Sequence, residues 1–280
     1  METFEREAWA ARRDPGFPLP EWPDAHDADD ADDAHGQLAA DDFAEVYAPL
    51  ASLIAERAAA RPNPGAFLVW ISGSVAVGKS TSARALATLL AAHERIGAGA
   101  VAQVPTDGFL FPNRELVARG VMDRKGFPES FDTPRLQAFL DALHRGELEV
   151  RAPVYSHELY DITDEELVVR DATVVVLEGL PVVEQPIDLA LYLDADEADV
   201  EAWYIERFLR LRAEALEDEQ SFFRMFAGMD QRDAEAIARQ VWTEINLVNL
   251  REHIAPARDR ADVVFEKGPD HAVRRVHLRR

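Results

Sequence analysis

Residues 71–81 read ISGSVAVGKST, and Gly73, Gly78, Lys79 and Ser80 in them fit the pattern G-x-x-x-x-G-K-[ST]. Ser74, Val75, Ala76 and Val77 form the variable interior, and Thr81 follows. Glycines at that spacing let backbone N–H groups wrap an anion, and the N-terminus of a following helix adds partial positive charge. Lys79 would reach the β- and γ-phosphates of a nucleotide, and the Ser80 hydroxyl would face Mg²⁺. A tight glycine turn with no ligand is the alternative. The apolar run before the loop, Phe67-Leu68-Val69-Trp70, and the helix-like run after it favour the phosphate reading.

A phosphoryl group that moves needs a metal, a base and an acceptor. Glu178, in Leu177-Glu178-Gly179, closes an apolar run, and in open α/β sheets ligands sit outside the carboxyl ends of the strands. A carboxylate there can hold Mg²⁺ directly or through water; pointing into solvent is the bland alternative. Asp107, in VPTDGFLFPN, follows another such run and so shares that edge. A hydroxyl acceptor must lose its proton, yet Asp-Gly also turns a chain with no chemistry attached. Spacing leaves both open. Tyr155, His157 and Tyr160 gather in PVYSHELYD, which alone says little. Tyr204, Arg207, Phe208 and Leu211 share one helical stripe, where an Arg either meets an anion or snorkels into water. Asn246, four residues after Trp242, could hold a polar ligand; Phe222, Phe223 and Phe226 read as core.

The elements that must carry these residues follow from hydrophobic patterning. Apolar runs over 67–71, 100–104, 173–177 and 189–193 alternate with helical patterns over 80–95, 134–144 and 197–217. This predicts an α/β fold: a doubly wound, mostly parallel central sheet with helices on both faces. A late helix over 234–254 precedes a strand in ADVVFEKG and a short basic tail. Residues 21–42 are acidic and Ala-rich, with too few large apolar side chains to offset ordering entropy. The expected organisation is an acidic, mobile arm over 1–41 and a single domain over 42–280, with Asp42 capping its first helix. His26 and His35 in the arm read as an accidental solvated tract.

The 280 residues, 48% of them hydrophobic and 29% charged, suit a soluble globular chain with a sizeable core. No run approaches the roughly 18 apolar residues of a membrane helix, and METFEREAWAARRD lacks a secretory apolar core. No membrane association and no export signal are expected. With no cysteine, disulfides, thiolate zinc sites and cysteine nucleophiles are excluded, and a cytoplasmic location is expected. A net charge of −22 argues against nucleic acid as a partner. Lys79, Lys125 and Lys267 are the only lysines, every other fixed cation being Arg.

Together these motifs resemble one family, the bacterial type I pantothenate kinases. GSVAVGKST, TDGFL-PN, KGFPES-D, PVYSH, LEGL, WYI-RF, EIN--NL and DHAV stand in the family's order from about Asp42 to the C-terminus. The resemblance implies a phosphate-loop kinase that uses Mg²⁺ and ATP to phosphorylate pantothenate's primary hydroxyl. It makes Asp107 the base and gives Arg207 the moving phosphoryl. Tyr155, His157, Tyr204, Asn246 and Phe223 become substrate contacts, with Phe208, Phe222 and Phe226 lining the pocket beyond, and His271 an adenine neighbour. It further implies coenzyme A as feedback inhibitor through Lys79, Arg84 and His157, and a homodimer formed by a long helix. The chain departs from the family in its N-terminal arm, which lacks an Asn associated with adenine, and at Leu211, Ala213 and Phe226. The rival readings are a related kinase acting on uridine, phosphoribulose or glycerate, and a non-catalytic nucleotide or coenzyme A sensor.

Overall fold

The computed structural model describes residues 1–22, 38–62, 65–184, 186–216 and 221–279. In chain order the strands are β1 (Glu2–Glu5), β2 (Phe67–Gly73), β3 (Val101–Pro105), β4 (Glu149–Ser156), β5 (Asp161–Arg170), β6 (Val174–Glu178), β7 (Leu189–Asp194), β8 (Val263–Lys267) and β9 (Val273–Leu278). Val174, Val175, Val176 and Leu177 are all fully buried. Successive strand residues face opposite sides, so helices must cover both faces of β6, as its unbroken apolar sequence requires.

Seven strands form one sheet in the order β1-β9-β8-β7-β2-β6-β3. The five from β8 to β3 are parallel. Register therefore brings their carboxyl ends to one edge: Glu178 lies opposite both Ile71 and Pro105, and Gly73 opposite Leu193. β4 and β5 form a separate antiparallel hairpin whose turn carries His157 to Tyr160. The loop helix is Lys79–Ala92, and Thr133–His144 and Glu197–Glu214 stand near their expected places. The late helical segment is continuous over 231–254, with π-helical turns at Trp242–Asn246 and Leu250–Ile254.

Three expectations meet a different structure. The start of the expected arm is folded: β1 pairs antiparallel with β9, and the helix Arg6–Ala10 buries Trp9, whose indole N–H donates to Val46 O at 2.9 Å. Phe4, Trp9 and Phe17 supply the apolar surface that the acidic composition downstream concealed. Residues 23–37 of the arm, with His26 and His35, lie outside the described residues. The basic tail is strand β9, in which Val273, Val276 and Leu278 are buried between exposed arginines. Asp42 is not a cap. It lies inside the helix that begins at Ala40, is buried, and its carboxylate accepts from Arg6 and from the Val273 N–H.

Replacing Trp9 with Ala removes a fully enclosed indole, a change that costs about 3–5 kcal/mol in other cores. Urea unfolding of Trp9→Ala should show a loss of that size. A loss under about 1 kcal/mol, the size of a surface substitution, would make the segment dispensable.

Candidate active site

The parallel strands deliver the loop, a carboxylate and a turn to one edge. Between β2 and its helix the 73–80 loop buries the side chains of Ser74 and Val77, which turns backbone and Lys79 toward the cleft. Lys79 Nζ donates to Ser74 O at 2.8 Å. Ser80 Oγ donates to Glu178 Oε1 at 2.9 Å, joining residues 98 positions apart. Burial pushes the Lys79 ammonium down and the Glu178 carboxyl up, and each opposes the shift of the other.

Asp107 sits one strand away, in the 3-10 turn Thr106–Phe109. Two glycines let this turn close on its neighbours. A Cβ on Gly179 would collide with Thr106 Oγ1, and a Cβ on Gly108 with the Pro153 carbonyl oxygen. The first contact sets Asp107 beside Glu178 and the second sets it beside the hairpin that carries Tyr155. Asp107's charge accordingly acts on Lys79, Glu178, Tyr160 and Lys125 together.

Aromatic and amide groups line the other end. Tyr155 meets His157 edge-on at 5.0 Å. Tyr204, on the Glu197–Glu214 helix, is hydrogen-bonded to Asn246 and pushed up to about 12 by burial. Asn246 ends a π-helical turn, a distortion that often marks functional positions. Arg207, one turn beyond Tyr204, lines the cleft and its charge acts on Lys79. Phe208 and Phe223 also line it, ring to ring at 5.6 Å. Phe222 stacks on Tyr160 at 4.2 Å and Phe226 packs on Phe208 at 5.2 Å, both outside the lining.

His271 stacks on Trp203 at 3.9 Å in the left-handed backbone region, φ 63°. Gly73, Val75, Ala76, Gly78 and Thr81 border the same cleft. Arg84 does not: its guanidinium lies 5.5 Å from the ring of Trp22. The cleft holds about 1190 Å³, more than the 300–1,000 Å³ of a typical single-ligand pocket. It has room for a nucleotide and a second small molecule.

Sequence reasoning assigned no role to three residues of this cleft: Lys125, Trp203 and Lys267. Lys125 Nζ lies 3.8 Å over the Tyr160 ring and donates to Asn113 Oδ1 at 2.7 Å. Burial lowers it to about 8 against the pull of Asp161 and Asp107. The missed signal was compositional, since all three lysines of the chain line this one cleft.

The Ser80 hydroxyl and Glu178 carboxylate are hard oxygen donors, which suits Mg²⁺. Among the described residues no cluster of three His, Asp or Glu could hold a metal by itself, and Mg²⁺ commonly takes most of its ligands from phosphate and water.

Residues 68–227 match the sequence profile of the Phosphoribulokinase / Uridine kinase family. A solved putative fructose transport system kinase from Silicibacter superposes with TM-score 0.57 at 27% identity, covering 76% of this chain and 93% of that one. A D-glycerate 3-kinase from Cryptococcus neoformans shares the fold, with TM-score 0.59 at 13% identity, over 82% of this chain and 98% of that one. Fold and site thus define a phosphate-loop kinase. A pantothenate kinase of Sorangium cellulosum is 46% identical over 87% of each chain, and one of Myxococcus xanthus is 41% identical over 99% of this chain and 95% of its own. The chain belongs to the phosphoribulokinase and uridine kinase family and, within it, to the pantothenate kinases.

Proposed function

We propose that the protein transfers the γ-phosphoryl group of ATP to the primary hydroxyl of pantothenate, giving 4'-phosphopantothenate and ADP, the first step of coenzyme A biosynthesis. One observation carries the reading: a single cleft joins Lys79, Ser80 and Glu178 at one end to Tyr155, Tyr204 and Asn246 at the other, with Asp107 and Arg207 between. Kinship with pantothenate kinases over nearly the whole chain supports the acceptor.

In this scheme the loop backbone and Lys79 hold the β- and γ-phosphates, and His271 flanks adenine. Ser80 and Glu178 would hold Mg²⁺, which when bound would supply positive charge to the phosphate oxygens. Tyr155, His157, Tyr204 and Asn246 orient pantothenate, with Phe223 against it. Asp107 takes the hydroxyl proton as Arg207 faces the moving group. Positioning and electrostatics supply the rate.

Coenzyme A competing with ATP through Lys79, Arg84 and His157, a homodimer formed through a long helix, and a cytoplasmic location belong to the same proposal. The family resemblance supports the first two, and a cysteine-free composition is in keeping with the third. No described helix is long and apolar enough to cross a membrane.

The test is ADP release by the purified protein with Mg·ATP, comparing pantothenate with uridine, ribulose 5-phosphate and glycerate. Turnover with pantothenate alone is expected. Turnover with another acceptor would reassign the substrate, and ATP binding without turnover would turn the reading toward a sensor.

A further inference from the structure

Lys267 ends β8 and reaches the phosphate loop from that side of the sheet. Its Nζ donates to Val77 O at 2.9 Å, across 190 residues of sequence. A Cβ added to Gly78 would lie 3.2 Å from the same Nζ, so the ammonium sits against the Val77–Gly78 peptide. The residue is only 9% exposed, yet among the described residues no carboxylate pairs with it. Asp42 acts on it electrostatically, but the Asp42 oxygens are taken by Arg6 and by the Val273 N–H.

An ammonium has three N–H donors, and Val77 O is the one acceptor found for Lys267 among the described residues. Burying a cation without an anion beside it is strongly unfavourable. Burial lowers Lys267 to about 8, against the pull of Asp42. Composition gives a second argument. A chain that otherwise uses Arg for its fixed cations keeps Lys at three positions, all in this cleft. A compact ammonium fits between a carbonyl and a glycine, where a planar guanidinium fork does not.

We propose that Lys267 is a positioning residue for the nucleotide: it clamps the Val77–Gly78 peptide so that the loop N–H groups face the phosphates, and its buried charge adds to that of Lys79 in the field those phosphates neutralise. Lys79 holds the start of the loop at Ser74 O and Lys267 holds its end at Val77 O. The inference rests on reading residues 73–81 as the ATP-phosphate site and is independent of which acceptor is used.

Two variants separate clamp from charge. Lys267→Met removes both at similar length, and Lys267→Gln keeps a donor for Val77 O without charge. ATP and ADP affinity are read by calorimetry without acceptor, alongside KM for ATP, KM for pantothenate and the nucleotide-free melting temperature. For both variants ATP affinity should fall at least about tenfold, as expected for losing a charge-assisted contact. The pantothenate KM should stay within about twofold, and the nucleotide-free melting temperature should not fall for Gln, since an unpaired buried charge does not stabilise a fold. Lys267→Arg should recover little. ATP affinity within twofold of wild type in the Gln variant overturns the charge role. An equal rise in both KM values with a lower melting temperature reduces Lys267 to a structural residue. If Met does not fold, Gln decides. Failure of the wild type to bind ATP would overturn the phosphate-loop reading on which the inference rests.

Discussion

Replacing Asp107 with Asn should lower kcat for pantothenate phosphorylation by at least about a hundredfold, the low end for a positioned general base. Asn keeps the shape of the side chain, and the Thr106–Phe109 turn rests on the buried residues Thr106 and Phe109, which the change does not touch. What it loses is the capacity to take a proton. Asp107 is the group whose charge is felt by Lys79 and Glu178 on the nucleotide side and by Lys125 and Tyr160 on the acceptor side. A proton leaving a hydroxyl between those sides would therefore meet this carboxylate. KM for ATP should change little, because the loop contacts of Lys79 and Ser80 remain. Steady-state kinetics with varied ATP and pantothenate check both statements. A loss below tenfold would mean that the acceptor gives up its proton late, to solvent or to the transferred phosphoryl, and that Asp107 serves as an anchor only.

What could be read from the sequence, and what could not, divides by the range of the interactions involved. β2, β6 and β7 were legible because strands buried on both faces must be written as unbroken apolar runs. The phosphate loop was legible because its glycines, Lys79 and Ser80 are contiguous. β1 and β9 were not. Glu2–Glu5 is mostly exposed, and β9 sets Arg274, Arg275 and His277 among Val273, Val276 and Leu278, so each looks polar until the other supplies its backbone hydrogen bonds. Asp42 was misassigned for a related reason: its local position suggests a cap, but Arg6 lies 36 residues away and Val273 lies 231 away. Asp107-Gly108 is a mixed case. The pair suggests a turn, and it makes one, yet the glycine is required by contact with Pro153 and not by its own φ. Lys125 and Lys267 acquire meaning only when Tyr160 and Val77 are brought to them.

Arg207→Ala should cost on the order of a thousandfold in kcat, the lower range for an arginine that stabilises a transferring phosphoryl group. Arg207 lies three residues beyond Tyr204 on the Glu197–Glu214 helix, so one helical face presents both the phenol held by Asn246 and a guanidinium to the cleft. Its charge disfavours the Lys79 ammonium. Two like charges brought this close oppose each other in the ligand-free protein, and an anion between them reverses the sign of that interaction. The benefit grows as negative charge spreads over the equatorial oxygens, which makes it larger in the transition state than in the ground state. The expected signature is a fall in kcat and in kcat/KM with a small change in KM for ATP. Arg207→Lys should recover only part of the rate, because an ammonium lacks the planar fork that spans two phosphoryl oxygens. A variant that instead raises KM for ATP at constant kcat would make Arg207 a ground-state phosphate contact, leaving charge neutralisation during transfer to Lys79 and the metal.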